Sequence, residues 1–229
     1  MNIQGFQKMT LLDFPGQVAC TVFTGGCNLR CPFCHNGGLV RTPTMYVNRE
    51  EEVLSFLKKR RGIIDGVCVT GGEPLLQPDL TEFLRTAKEL GYLVKLDTNG
   101  SLPDRLRRLL ATGYVDYVAM DIKNSLKHYA KAIGGDTDAA IFKESIDLLK
   151  SGVVPHEFRT TVVKGIHTAA DIEDIAKMLG ENELFFLQTF KDSGDLLGEG
   201  CDAFSAQEMH AFLEIAKQYT PKAALRGTE

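Results

Sequence analysis

Three cysteines lie close together in the first part of the sequence. Cys27, Cys31 and Cys34 fall within one short segment, whereas the other three cysteines of the chain are scattered. Thiolates at this spacing in one loop can converge on a single inorganic centre. Cys20 and Cys68 lie in apolar stretches, and we interpret them as buried side chains of the core.

Three chemistries are compatible with this cysteine loop. A structural zinc site would use the three thiolates and His35, although His35 directly follows Cys34 and adjacent residues rarely reach one metal together. A redox pair would use Cys31 and Cys34 and leave Cys27 without a role. A [4Fe–4S] cluster bound by three cysteines would keep one iron open for a substrate or cofactor.

Further polar residues occur where the predicted strands end. They are Gly71-Gly72-Glu73-Pro74 after the second strand, Asp97-Thr98-Asn99 at the third, Asp121 and Lys123 at the fourth, Arg159 within the fifth, and Gln188 and Thr189 at the sixth. In parallel α/β proteins the active site lies at the carboxyl ends of the strands. Together with the cysteines, which follow the first strand, polar groups from six strands meet at one face, as expected of an enzyme.

The elements that position these residues alternate between strands and helices. We predict strands at 17–23, 67–70, 92–97, 115–121, 157–163 and 184–189, and helices at 48–59, 78–90, 101–110, 139–150, 168–179 and 205–219. Asn48 with Glu51, and Ser205 with Glu208, have the pattern of capping boxes. Alternating strands and helices predict a parallel sheet covered by helices. The pattern leaves open whether the sheet is doubly wound or curls into an incomplete barrel.

Length and composition exclude several classes of protein. The chain has 229 residues, 44% hydrophobic and 24% charged residues, and a net charge of −4, as is ordinary for a globular domain. The chain lacks the excess of basic residues that is typical of nucleic-acid-binding proteins. It also lacks an apolar run long enough to cross a membrane. The segment 1–8 has no signal-peptide core. We therefore expect one cytoplasmic domain over 1–229, with its core at about 17–190.

The cysteine segment resembles a known family. Cys27 to Cys34 resembles the CxxxCxxC motif of radical S-adenosylmethionine enzymes, with an aromatic residue, Phe33, before the last cysteine. His35-Asn36 and Asp13-Phe14-Pro15-Gly16 resemble glycyl-radical-enzyme activating proteins. The resemblance is strongest to the activators of anaerobic ribonucleoside-triphosphate reductase, and the pyruvate formate-lyase activators are near relatives. It covers residues from about 5 to 190. It implies an α/β fold, an incomplete (β/α)6 barrel with parallel strands and outer helices.

The same resemblance implies the roles of the first two motifs. Cys27, Cys31 and Cys34 would hold a [4Fe–4S] cluster whose fourth iron chelates the amino and carboxylate groups of S-adenosylmethionine. The segment Phe33, His35 and Asn36 would lie against the adenine. The turn Gly71, Gly72 and Glu73 would meet the methionyl amino group, because glycines let the backbone approach a ligand and a carboxylate pairs with an ammonium.

The charged residues at the later strand ends also match the family. Asp121, Lys123 and Arg159 resemble the residues that bind the ribose and the methionyl carboxylate. Asp97, Thr98 and Asp121 resemble a monovalent-cation site in relatives. Pyruvate formate-lyase activators place a histidine after the sixth strand, where this sequence has Gln188. This difference favours a partner other than pyruvate formate-lyase.

The resemblance implies a radical reaction on a protein substrate. The reduced cluster would cleave S-adenosylmethionine, and the resulting 5′-deoxyadenosyl radical would take a hydrogen atom from a glycine of a partner glycyl radical enzyme. The electron would come from a donor such as flavodoxin or ferredoxin. The alternatives are an activator of pyruvate formate-lyase or another glycyl radical enzyme, a radical enzyme acting on a small molecule, and a zinc-binding interaction module without enzyme activity.

Overall fold

One eight-stranded sheet organises the computed structural model, which describes residues 1–41, 50–192 and 194–227. The strands are β1 (Ile3–Thr10), β2 (Ala19–Thr24), β3 (Gly66–Gly71), β4 (Leu93–Thr98), β5 (Tyr117–Asp121), β6 (His156–Val162), β7 (Phe185–Thr189) and β8 (Ala224–Arg226). The helices are α1 (Gly37–Arg41), α2 (Glu50–Lys59), α3 (Leu80–Glu89), α4 (Pro103–Leu110), α5 (Tyr129–Ile133), α6 (Ala140–Lys150), α7 (Ala169–Leu179) and α8 (Ala206–Lys217), with a short 3-10 helix at Pro74–Leu76.

The strands lie side by side in the order of the sequence, from β1 to β8. β1 is antiparallel to β2, and every later pair is parallel. The carboxyl ends of β2 to β8 therefore share one edge of the sheet. Residues from all of these strands or from the loops after them line a single cavity at that edge. The sheet must curl for this to occur, as in the expected incomplete barrel.

The two faces of the sheet differ in polarity. Val94 and Leu96 of β4 are fully buried and belong to the apolar core. Lys95 and Asp97, which alternate with them along the strand, point to the opposite face, because successive strand residues alternate. Cys68, Lys95 and Tyr117 are neighbours in register across β3, β4 and β5. The inside of the curled sheet is thus polar, and its apolar outside is covered by the helices.

All six predicted strands are present, with ends shifted by a few residues, and the six predicted helices correspond to α2, α3, α4, α6, α7 and α8. The capping box of Ser205 and Glu208 is confirmed, since each side chain accepts a hydrogen bond from the other residue's backbone N–H. The predicted cap at Asn48 lies outside the described residues.

Two further strands were not predicted, so the described sheet has eight strands where the sequence analysis expected six. β1 and β8 are the two edges of the sheet, and in the described residues neither pairs on its outer side. β1 is mostly half-buried or exposed, and β8 has three residues, all of them half-buried. Neither segment therefore carries the run of apolar residues that marks a central strand. No helix in the described ranges has the length and apolarity that crossing a membrane requires.

Candidate active site

The cysteine loop follows β2 and forms one wall of a cavity of about 470 Å³ at the carboxyl edge of the sheet. Cys27, Cys31 and Cys34 all line this cavity. The other predicted site residues that line it are Phe33, His35, Asn36, Gly71, Gly72, Asp97, Thr98, Asp121, Lys123, Arg159, Gln188 and Thr189. Residues far apart in sequence thus surround one space that suits a small-molecule ligand.

Two neighbouring segments hold the cysteine loop in place. The backbone N–H of Arg30 donates to the carbonyl of Ile133 at the end of α5, at 2.9 Å. The N–H of Gly198 donates to the carbonyl of Pro32, also at 2.9 Å. A Cβ added to Gly198 would lie 2.5 Å from the Cβ of Pro32, so only glycine allows this approach. The loop has no regular secondary structure, so these contacts with neighbouring segments determine its position.

The glycine turn after β3 lies directly against the start of the cysteine loop. The N–H of Gly72 donates to the carbonyl of Thr24 at 2.9 Å, and the N–H of Glu73 donates to the carbonyl of Gly26 at 2.8 Å. A Cβ on Gly72 would lie 1.9 Å from the oxygen of Gly26. Gly71 has a φ of 118°, which side-chain-bearing residues rarely adopt. Both glycines are therefore required by packing within the chain.

Glu73 is the one predicted site residue that does not line the cavity. Its carboxylate is completely buried and accepts hydrogen bonds from the N–H of Leu75 at 3.0 Å, the hydroxyl of Thr98 at 2.9 Å and the N–H of Asn99 at 2.7 Å. Burial raises its pKa to about 7. Because these contacts occupy both oxygens, the position of Glu73 does not support the predicted contact with a ligand ammonium. Instead, Glu73 ties the turn after β3 to the end of β4.

A chain of ion pairs forms a second wall of the cavity. The guanidinium of Arg159 donates from Nε to Asp121 at 2.9 Å and from Nη1 to Asp97 at 3.2 Å. Lys123 Nζ donates to the other oxygen of Asp121 at 3.1 Å, and Lys95 contacts Asp97 from below. Burial alone disfavours ionisation of Asp121, but Arg159 and Lys123 outweigh it and hold the Asp121 pKa well below its usual range.

This wall carries a surplus of positive charge. Three cations, Lys95, Lys123 and Arg159, face two carboxylates, Asp97 and Asp121, which leaves one net positive charge. A buried surplus charge is costly unless a partner of opposite sign binds. The wall is therefore suited to one anionic group of a ligand. Since Asp97 and Asp121 already pair with cations of the chain, the structure gives no support to the expected monovalent-cation site.

The family follows from comparison with known proteins. Residues 21–179 match the sequence profile of the radical SAM superfamily. The chain belongs to this superfamily. Its members use a [4Fe–4S] cluster and S-adenosylmethionine, and they are enzymes. The predicted family, enzyme class and cofactors are therefore confirmed.

Relatives and solved structures agree with this assignment. A Methanocaldococcus jannaschii protein assigned as a glycyl-radical enzyme activating enzyme is 33% identical over 98% of this chain and 95% of its own length. The pyruvate formate-lyase-activating enzyme of Clostridium pasteurianum is 36% identical over 54% of this chain and 52% of its own. Streptococcus suis SuiB, solved with S-adenosylmethionine, has a similar fold, with a TM-score of 0.71 at 16% identity over 88% of this chain and 48% of that protein.

The three radical SAM cysteines fit a cluster better than a single metal ion. Burial raises the pKa of the Cys27 thiol and raises that of Cys31 to about 11, so a cationic centre is needed to keep them as thiolates. Within the part of the chain that the structure describes, no three His, Cys, Asp or Glu side chains are placed to hold a metal ion. A cluster accepts one thiolate at each of three irons, so its ligands lie farther apart than those of zinc.

Several residues of the cavity were missed by the sequence analysis. They are Leu29, Val40, Thr70, Thr161, Lys191, Arg226 and Gly227. Thr161 could have been found, because it lies two residues after Arg159 and so shares its face of β6. Arg226 could not, since β8 itself was not predicted. Its guanidinium donates to both oxygens of Glu157, at 2.8 and 3.1 Å, and stacks over Phe186.

Proposed function

We propose that this chain activates a glycyl radical enzyme by removing a hydrogen atom from a glycine of that partner, and that the partner is anaerobic ribonucleoside-triphosphate reductase. The observation that carries the proposal is the match, along nearly the whole chain, to a relative assigned as such an activator. The placement of the three cysteines and the charged wall around one cavity supports it.

Each wall of the cavity has a part in binding. When bound, the cluster supplies one electron for cleavage of the sulfonium of S-adenosylmethionine. Cys27, Cys31 and Cys34 hold the cluster at one side of the cavity. Arg159 and Lys123 of the charged wall bind the methionyl carboxylate, which balances the surplus positive charge of that wall. The buried sheet interior keeps water from the reacting atoms.

The size and edges of the cavity favour a peptide over a second small molecule. A volume of about 470 Å³ is typical of a pocket for one ligand of cofactor size. A second substrate must therefore enter from outside. In the described residues β1 and β8 do not pair with each other, so the barrel is open on that side. An extended peptide loop fits such an opening, and a glycine has no side chain to block approach of its Cα.

The choice of reductase as partner rests on one residue of the cavity. Gln188 lines the cavity at the end of β7, at the position where the pyruvate formate-lyase activators are expected to have histidine. The electron for each turnover comes from a one-electron carrier such as flavodoxin or ferredoxin. An activator of pyruvate formate-lyase remains the second candidate, because one relative is such an enzyme.

The test uses cluster-loaded protein under anaerobic conditions with S-adenosylmethionine and either flavodoxin or dithionite. Each candidate partner is added separately, and electron paramagnetic resonance detects its glycyl radical. We expect the radical on the reductase and none on pyruvate formate-lyase. Cys31→Ala serves as the control and should retain no cluster and form no radical. A radical on pyruvate formate-lyase alone would contradict the choice of partner. A radical on neither protein would contradict the activating function.

A further inference from the structure

His167 is a buried histidine that has no part in the chemistry described above. Its side chain is only 4% exposed. Its Nδ1 accepts from the N–H of Val163 at 3.0 Å. Its Nε2 therefore carries the proton and donates to the carbonyl of Lys123 at 2.8 Å. Burial lowers the pKa of His167, in agreement with a neutral ring.

A second buried side chain, that of Tyr129, contacts the other backbone polar group of Lys123. The N–H of Lys123 donates to the hydroxyl of Tyr129 at 3.2 Å. Tyr129 is completely buried and stacks on Phe142, with ring centroids 4.0 Å apart. Both backbone polar groups of Lys123 are thus held by rigid, buried rings. A loop lysine that were merely solvated would not need this support.

His167 also reaches the cysteine loop. Its ring meets the ring of Phe33 edge-on, with centroids 6.1 Å apart. Phe33 lies between Cys31 and Cys34 in sequence and is itself buried. One imidazole therefore joins the turn after β6, the loop after β5 and the cysteine loop. Lys123 of the loop after β5 and the cysteine loop both line the cavity.

We propose that His167 is a positioning residue, which fixes the backbone of Lys123 so that its ammonium faces the methionyl carboxylate of S-adenosylmethionine. The inference rests on the carboxylate-binding role given to Lys123 under the proposed function. A lysine side chain has many rotamers, and fixing its base reduces the entropy lost when the ammonium binds an anion. Tyr129 assists by holding the other side of the same residue.

Two substitutions separate this role from a merely structural one. In His167→Gln the amide nitrogen reaches about as far as Nε2, so the donor to Lys123 is kept and the acceptor for Val163 is lost. In His167→Asn the amide oxygen replaces Nδ1, so the acceptor for Val163 is kept and the donor to Lys123 is lost. If His167 matters only for the structure of the turn after β6, His167→Asn should bind S-adenosylmethionine better than His167→Gln. If His167 positions Lys123, His167→Gln should bind it better.

The measurement is the dissociation constant of S-adenosylmethionine for the cluster-loaded protein, determined by anaerobic equilibrium dialysis without any partner enzyme. We expect His167→Gln to bind within twofold of wild type and His167→Asn to bind about fivefold more weakly, as for one lost hydrogen bond. In a Lys123→Met background the His167→Asn effect should disappear. Tyr129→Phe keeps the ring packing and should also weaken binding severalfold, which preserves the test if a His167 variant does not fold.

Four results would overturn the inference, and the first three concern the His167 variants. They are wild-type binding by His167→Asn, weaker binding by Gln than by Asn, and an unchanged Asn effect in the Lys123→Met background. Wild-type binding by Lys123→Met alone would also overturn it, because no group would then be left to position. Failure of the activating function leaves these binding measurements unaffected, since no glycyl radical is formed in them.

Discussion

Arg159 determines the charge balance of the cavity at the scale of single residues. It bridges Asp97 and Asp121, and all three side chains lie largely out of solvent. We expect Arg159→Ala to retain the cluster, because Arg159 does not contact the cysteine loop, but to bind S-adenosylmethionine roughly tenfold to a hundredfold more weakly, as for a lost charged hydrogen bond. Iron content measures retention of the cluster, and equilibrium dialysis measures the affinity for S-adenosylmethionine. Wild-type affinity would remove Arg159 from the site.

The same substitution should lower the stability of the protein. Removing the guanidinium takes one ion pair from each of two partly buried carboxylates, which keep Lys95 and Lys123 as partners. The expected loss of unfolding free energy is about 2 kcal/mol, as for lost hydrogen bonds to charged groups. Chemical denaturation measures it, and Asp104→Ala is a matched control because its ion pair with Arg107 is exposed and contributes little.

Glu73 makes the stability depend on pH. Burial raises its pKa in the folded protein from 4.5 to about 7, despite three donors to its carboxylate. Below the unfolded value both states are protonated, and the stability is fully present. As the pH rises from about 4.5 to about 7, the unfolded chain releases this proton while the folded chain retains it, so stability is lost, by up to about 3 kcal/mol.

The test compares wild type with Glu73→Gln, which cannot ionise. Gln is expected to be less stable overall, because it presents an NH₂ group to backbone donors, but its stability should lack the decline between pH 4.5 and 7. Denaturation of the cluster-loaded proteins across this range gives both curves. Parallel curves for the two proteins would show that Glu73 does not carry the effect.

A residue could be assigned to the site from the sequence only if it belonged to a recognised motif. The three cysteines, the glycine turn and the strand-end charges all lie around the cavity as the resemblance implied. Glu73 belongs to the same turn yet faces away, because three buried donors compete for it. The contacts of Lys95 and His167 were not predicted, since a lysine inside a strand or a histidine in a turn acquires its contacts only through the tertiary fold.

At the scale of elements, the turn after β3 gives the sharpest prediction. A Cβ on Gly72 would overlap the carbonyl of Gly26, so Gly72→Ala must push the turn away from the cysteine loop. We expect a loss of about 2 kcal/mol in unfolding free energy and reduced iron retention, as for an overpacked site. Gly135→Ala is the matched control, because an added Cβ there meets nothing within 4 Å. Equal effects of the two substitutions would contradict the packing argument.

The helices and central strands were predictable from local patterns, and the edges of the sheet were not. α7 and α8 begin with capping boxes that can be read in the sequence, and central strands such as β3 and β4 contain buried apolar residues. β1 and β8 are short or half-exposed, so their pairing with β2 and β7 stabilises them more than their own composition does. Arg226 and its contact with Glu157 were hidden for the same reason.

At the scale of the whole molecule, the alternation of strands and helices predicted a parallel sheet but not its curvature. Curling brings the ends of β2 to β8 around one cavity and turns a polar face inward. That outcome depends on contacts between distant segments, such as the ion pairs of Arg159 with Asp97 and Asp121. The resemblance to the radical SAM family supplied this part of the prediction, which the periodicity of the sequence left open.

The most direct test of the account follows the hydrogen atom itself. The cluster-loaded protein is reduced in the presence of S-adenosylmethionine and a reductase whose glycines carry deuterium at Cα, and the 5′-deoxyadenosine is analysed by mass spectrometry. The account predicts that one deuterium appears in 5′-deoxyadenosine as the glycyl radical forms. Unlabelled 5′-deoxyadenosine formed in step with the radical would contradict direct abstraction from glycine, and labelled product without a glycyl radical would contradict activation.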